Sequence, residues 1–352
     1  MMSKIGYGVA ICLWTLAVGA LFLSIGATVA LAEDPSAAAS DAAPWVVYDG
    51  CDGPGRGKHI VLVSGDEEYR SEEAYPQLGK ILAQRHGFKC TVLFAINANT
   101  GEINPDNRKN IPGLENLRSA DLMIIATRFR DLPDEQMKYV AEYIDSGRPV
   151  IGMRAGVVAF HLTSPTYKRF CWKSKTNRGG FGLEILGQTW MSHHGGHGRE
   201  STRGLIAETA TDDPIVNGCE DVWGPTDVYT VRRDLADDSK ILMYGQVLAG
   251  MSPTDKAVEG KKNNPMMPIA WTRSYEGAEG KTGRVFTTTM GAATDMESEG
   301  FRRLLVNATY WCVGLEEQIP ERANVDLVGE FQPLPFGFGK YKKGTKPSDY
   351  AK

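Results

Sequence analysis

The sequence predicts an α/β fold, a mostly parallel sheet with helices on both faces. Two observations carry that expectation. Short runs of continuous apolar residues alternate with longer segments of 3.6-residue periodicity, the pattern of doubly buried strands joined by crossover helices. The second is the stretch 150–156 (VIGMRAG), a short strand followed by a turn whose small residues, Gly152, Ala155 and Gly156, permit a very tight strand-to-helix elbow with Arg154 at its apex. Such an elbow holds its central side chain above the sheet. The usual occupant is a Ser or Cys nucleophile, whereas an arginine neither loses its proton nor attacks.

In chain order, 59–65 (HIVLVSG) reads as the first buried strand, followed by an amphipathic helix over 72–86. Residues 89–95 form a second strand and 121–126 (DLMIIA) a third. The spacing of Met137, Val140, Ala141 and Ile144 predicts a helix over 133–146, ended by Gly147. The elbow strand, 148–152, is fourth. The second half is more interrupted: 160–181 is a polar, aromatic insertion and 186–191 a strand-like run. Further strands are expected at 228–231, 240–245, 267–271 and 284–289. A closing helix over 298–311 carries Phe301, Leu304, Leu305, Ala308 and Trp311 on one face. We expect the domain to span 58–318 and residues 319–352, rich in Pro, Gly and Lys, to form an extended tail draped on it and frayed at its end.

The N-terminus has a separate purpose. Lys4 precedes an uncharged apolar stretch that ends in Ala30-Leu31-Ala32, an A-x-A cleavage signal, so residues 1–32 are expected to be a signal peptide; an uncleaved anchor is the alternative. The rest is then exported, periplasmic or secreted. Residues 33–57 read as a linker and an approach to the domain. Without 1–32 the chain carries 38 basic and 43 acidic residues, a mildly acidic balance with no footprint for nucleic acid. Of the remaining cysteines, Cys90 and Cys312 lie in apolar runs and are expected as buried thiols. Cys51 could pair with Cys171 or Cys219 in an oxidising compartment. The sequon Asn307–Thr309 falls on the closing helix and is discounted.

Ligands of open parallel sheets bind beyond the carboxyl ends of the strands. After the first strand come Ser64 to Ser71, with Asp66, Glu67 and Glu68; after the third, Arg128; after the fourth, Arg154. Asp66 and Arg154 are the leading site candidates, although acids near a helix start are also favoured without any function. The segment 190–200 (WMSHHGGHGRE) holds three of the six histidines. Gly195, Gly196 and Gly198 disfavour a helix, so His193, His194 and His197 lie on a loop. That loop suits a divalent metal such as zinc, hydrogen bonding to a polar substrate, or a solvated surface, and Glu200 or Asp227 could complete a ligand set. We expect Arg154, Asp66 and at least one of these histidines to line one cavity. His194→Ala and Arg154→Ala would then abolish binding or turnover with little change in melting temperature.

The elbow resembles the G-x-C-x-G turn of class I glutamine amidotransferases with its cysteine replaced. The wider chain is similar to the ThuA-like, or trehalose-utilisation, family through 61–70 (VLVSGDEEYR), 212–218 (DDPIVNG), 227–229 (DVY), 283–291 (GRVFTTTMG) and 301–311. The resemblance implies a flavodoxin-like layout of the class I glutamine amidotransferase-like superfamily and a carbohydrate link. It aligns Asp227 with the acid of a D-x-Y pattern, and it places Ala292 where relatives often carry a histidine. The resemblance thus implies a protein that acts on a carbohydrate or keto-sugar derivative, as a hydrolase or isomerase; the residues, a polar site with Arg154 in the nucleophile's place, add the expectation of no glutaminase activity and of acid–base chemistry by Asp66, His194 and Asp227 with Arg154 neutralising charge. A non-catalytic sugar-binding protein and a metal-dependent hydrolase are the alternatives.

Overall fold

Strand β2 (His59–Gly65), the first of the predicted strands, lies near the middle of the parallel block of a ten-stranded sheet. A computed structural model describes residues 43–174, 179–231 and 235–351, so the expected signal peptide lies outside the described residues. No helix among the described residues is long and apolar enough to cross a membrane. The remaining elements are β1 (Trp45–Tyr48), α1 (Ser71–His86), β3 (Lys89–Leu93), β4 (Leu122–Thr127), α2 (Asp134–Asp145), β5 (Val150–Met153), β6 (Ser192–His193), β7 (Thr202–Ile206), β8 (Trp223–Gly224), β9 (Tyr229–Thr230), β10 (Lys240–Val247), β11 (Met267–Glu276), β12 (Thr282–Thr288) and α3 (Glu299–Cys312).

The sheet order is β1-β3-β2-β4-β5-β12-β11-β10-β7-β8. From β3 to β12 the neighbours are parallel, and β4 and β5 are buried along their whole length, as continuous apolar runs require. Beyond β12 the sheet continues antiparallel through β11, β10, β7 and β8. The crossover from β2 to β3 runs toward one edge and that from β4 to β5 toward the other. Right-handed connections therefore place α1 and α2 on opposite faces and open a crevice between the carboxyl ends of β2 and β4.

Three findings differ from expectation. Trp45–Tyr48, inside the stretch read as linker, pairs antiparallel with β3 and caps that edge. The run expected as a strand from 186 begins in a π-helical turn, Gly182–Leu186. The tail is docked to its end rather than frayed: the buried Arg302 and Arg303 of α3 donate to Val325 and Ala323 carbonyls, and the Tyr350 ring stacks on Phe94 at 5.9 Å. Cys51, Cys90, Cys171, Cys219 and Cys312 are all free thiols. Asn307 is buried, its amide donating to Ile215 and Asn217 carbonyls, which agrees with discounting the sequon.

The start of α1 stores an electrostatic cost. Glu72 is buried, neither carboxylate oxygen has a hydrogen-bond partner among the described residues, and burial pushes its pKa up to about 8 even though Arg70 opposes the shift. A carboxyl raised on folding keeps its proton where the unfolded chain has lost it. Stability from this group is therefore present below the ordinary glutamate range and declines as pH rises toward about 8. Glu72→Gln is expected to stabilise the protein by about 1–2 kcal/mol at pH 8 and to give no gain at pH 4. Thermal melts at the two pH values check this, and an equal change at both would contradict it.

Candidate functional site

The carboxyl ends of β2, β4, β5 and β12 converge on one rim. At the end of β5 the elbow forms as expected: Arg154 has φ +44° and opens a short 3₁₀ turn, Arg154–Val158. Its tightness needs its glycines. A Cβ on Gly152 would lie 2.4 Å from Leu186, and one on Gly156 2.9 Å from the Ile125 carbonyl oxygen. Three of the four non-glycine residues at positive φ among those described, Arg70, Phe129 and Arg154, follow these strands; such strain persists where the surrounding structure enforces it.

Arg154 is not displayed above the sheet as its elbow position implies. It is 2% exposed and folded down. Nη1 donates to the carbonyls of Asp227 (2.7 Å) and Thr289 (2.9 Å), and Nη2 donates to Asp227 Oδ1 (2.8 Å) and to the Tyr69 hydroxyl (3.1 Å). The Tyr69 and Tyr229 rings flank the guanidinium at 4.4 and 5.3 Å. Burial opposes its charge, but Tyr69 and Asp227 outweigh burial and raise its pKa further. Burial likewise pushes the Tyr69 phenol up to about 12. Both terminal nitrogens are committed, so Arg154, expected to neutralise charge on a substrate, is paired with Asp227 here while still bordering the cavity described below.

Asp227 is the centre of the arrangement. Its carboxylate is buried and accepts from three side chains: Arg154, His193 Nδ1 at 2.9 Å on Oδ2, and His197 Nδ1 at 3.0 Å on Oδ1. Burial alone would raise its pKa, but the Arg154 charge and the two imidazole hydrogen bonds prevail and hold it below the ordinary range. Strand pairing sets this geometry. β6 and β9 form a two-stranded ladder that puts His193 opposite Tyr229, two residues from Asp227. His193, the last residue of β6, turns toward Asp227, and His194, in the bend that follows, turns away with its Nε2 against the Lys262 carbonyl at 2.8 Å. His194, expected as a catalytic and metal-binding residue, thus stands apart from the Asp227 cluster and does not line the cavity described below. After the Gly195-Gly196 turn His197 returns to Asp227.

Asp66 also needs correction. It is fully buried and does not line the cavity; Oδ1 accepts from the Glu68 and Tyr69 amides at 2.8 and 3.1 Å, fixing the loop after β2. Burial, assisted by the Glu67 charge, pushes its carboxyl up to about 6. Glu67 is equally structural, binding Arg108, Arg128 and Arg130. Glu68 is the acid that faces the site, with Oε1 3.4 Å from His197 Nε2 and Oε2 3.5 Å from Arg128 Nε.

These groups border a cavity of about 230 Å³ whose polar lining includes Glu68, Arg128, Arg154 and His193. Its aromatic walls are Tyr69, Phe129, Trp190, Tyr229 and, from the tail, Phe338. A second cavity of about 490 Å³ lies beside His197, walled by Phe336 and Met251. The sequence reading missed Trp190, Phe338 and Asp295. The last is buried and accepts from Thr226 and from the Gly291 and Ala292 amides, holding the loop that leads to Asp227. A metal ion would take His193, His197 and Asp227, whose ligand atoms lie within 4.8 Å of one another. The donor set fits zinc, but Asp227 already carries the Arg154 guanidinium, whose charge opposes a cation there.

Comparison with known proteins places this architecture. The family model described as ThuA, trehalose utilisation, matches residues 59–312. None of the curated proteins matches the sequence. Similar solved structures include a ThuA-like protein of Bacteroides uniformis, 14% identical, covering 78% of this chain and 98% of its own, with a TM-score of 0.46. One of Parabacteroides merdae is 15% identical over 80% of this chain and 98% of its own, with a TM-score of 0.45. A cytoplasmic protein of Salmonella typhimurium is 13% identical over 72% and 98%, with a TM-score of 0.39. With the family model matching more than half of its length, from the start of β2 to the end of α3, the chain belongs to the ThuA trehalose-utilisation family.

Proposed function

We propose that the protein acts on a carbohydrate or keto-sugar derivative by general acid–base chemistry, with His193 as the proton-transferring group, and that it is not a glutaminase. The observation that carries this reading is the His193–Asp227 pair. Nδ1 is engaged by a carboxylate held ionised by Arg154, so the Nδ1–H tautomer is fixed and Nε2 is the ring nitrogen left for a ligand. His193 lines the cavity, and its side chain is half exposed.

The chemistry follows from those positions. Nε2 takes a proton from a sugar hydroxyl or from a carbon beside a carbonyl, and Asp227 stabilises the imidazolium that forms. Arg128, partly exposed at the rim, meets negative charge developing on oxygen. The imidazolium returns the proton to carbon for isomerisation, or gives it to the glycosidic oxygen as the electron pair left on carbon expels it; the unsaturated product then adds a water molecule, and the net change is hydrolysis. Incubation with trehalose and with its keto derivative, products followed by NMR, tests the proposal; no turnover of either by the wild type, under conditions where it is folded, would overturn it. Export is part of the proposal and rests on the A-x-A site, so protein from its native host should begin at Glu33; a form retaining Met1 would contradict that.

The proximity of His193, His197 and Asp227 favours one second reading, a metal-dependent hydrolase. Stoichiometric zinc in purified protein, with turnover lost to a chelator and regained with metal, would select it over proton transfer by free His193.

A further inference from the structure

Large apolar side chains left in solvent are few among the described residues, and they gather at the site. Of the six, Trp190 and Phe338 line the first cavity and Met251 the second. Phe338 is 60% exposed and Trp190 38%. An isolated exposed aromatic needs no explanation, but two on the walls of one cavity that also holds charged groups do.

Phe338 is held where it is. The Gly337 amide donates to the Glu68 carbonyl at 2.7 Å, and the Leu334 amide to Glu73 Oε2 at 2.8 Å. Between them Phe336 packs against Tyr69 and His197, with ring centroids at 5.7 and 5.2 Å. Beside Phe338 lies the Arg128 guanidinium, 5.1 Å from its ring and 4.8 Å from that of Phe129. The cavity therefore combines exposed aromatic surface with a planar cation, a carboxylate and an imidazole. Arg128 and Glu68 already pair with each other and with Glu67 and His197, so an ion gains little beside them, whereas a neutral ligand with hydroxyls adds hydrogen bonds that a wholly apolar one forgoes. The ligand that satisfies all of them is flat, with an apolar C–H face and a rim of hydroxyls.

We propose that Phe338 of the C-terminal tail and Trp190 of the histidine loop form the aromatic walls of a pyranose-binding subsite, with Arg128 and Glu68 taking the ring hydroxyls. This deepens the carbohydrate reading above and rests on it. Phe338 lies in the C-terminal tail, beyond residue 312, where the family match ends.

The test is calorimetric titration of the full chain with trehalose, with maltose and cellobiose alongside, for the wild type, Phe338→Ala, Phe338→Trp and Trp190→Ala. Val47→Ala, an exposed apolar residue on β1, is the control. Phe338→Ala and Trp190→Ala are each expected to weaken binding by about tenfold or more with melting temperature unchanged, Phe338→Trp to retain it, and Val47→Ala to bind as the wild type does. Binding by Phe338→Ala or Trp190→Ala within about twofold of the wild type would overturn the subsite and leave the carbohydrate reading standing. A loss in Phe338→Ala that Phe338→Trp does not recover would also overturn it, because the tail would then act only as scaffold. Failure of the wild type to bind any of the three sugars would overturn the carbohydrate reading together with the subsite.

Discussion

His193→Ala is expected to lower turnover by about 10²–10⁴-fold with the melting temperature unchanged, whereas His194→Ala leaves both quantities near wild type. The contrast follows from where β6 ends, at His193, with His194 in the bend beyond it. His193 offers Nε2 to the cavity and is oriented by a buried carboxylate, while its neighbour hydrogen-bonds the Lys262 carbonyl from the opposite face. Truncating His193 removes a half-exposed ring that makes one hydrogen bond to Asp227 and ring contacts with Trp190 and His197 at the cavity edge, so folding survives it. Steady-state kinetics and thermal melts on the two variants suffice. Equal losses from both would contradict the orientation of β6, and an unaffected His193→Ala would remove it from the chemistry.

Arg154→Ala is expected to destabilise the protein by about 3–5 kcal/mol, on the order of 10 °C in melting temperature. The sequence reading anticipated a nearly unchanged melting temperature, on the view that the elbow displays its side chain. In the structure Arg154 and Asp227 are 2% and 0% exposed and paired at 2.8 Å. Removing the guanidinium leaves a buried carboxylate with only two imidazoles and frees two backbone carbonyls, those of Asp227 and Thr289. Asp227→Ala should cost a similar amount for the converse reason, and the double variant should cost less than the sum of the two. Chemical denaturation of the three variants measures the coupling; additive losses would show that the pair is not one unit.

What was legible in the sequence is what local physics determines. The parallel block announces itself through doubly apolar runs, and 59–65 matches β2 residue for residue. The elbow was readable because only small residues fit at 152 and 156. β1 is four residues on a sheet edge behind a small-residue stretch, too short to show alternation. β7 is mostly half-buried and interrupted by Gly204, so it carries no apolar run. The histidine loop was misread in part because its glycines argue against a helix without disclosing the two-residue strand before them. That strand separates His193 from His194. Asp66 and Asp227 look alike in sequence; the first folds back on amides two and three residues ahead, and the second meets partners 30, 34 and 73 residues away. The tail's composition implied irregular backbone but not the place where Phe336 and Phe338 come to rest.

The most direct test of the central claim is deuterium exchange, followed by ¹H NMR, at the carbon beside the carbonyl of keto-trehalose incubated with the protein in D₂O. A base at His193 Nε2 exchanges that proton with solvent whether or not a glycosidic bond breaks. The account requires wash-in by the wild type that is retained by His194→Ala, unaffected by a chelator, and lost in His193→Ala. Exchange that persists in His193→Ala, or that vanishes on metal removal while His193 is intact, would contradict it.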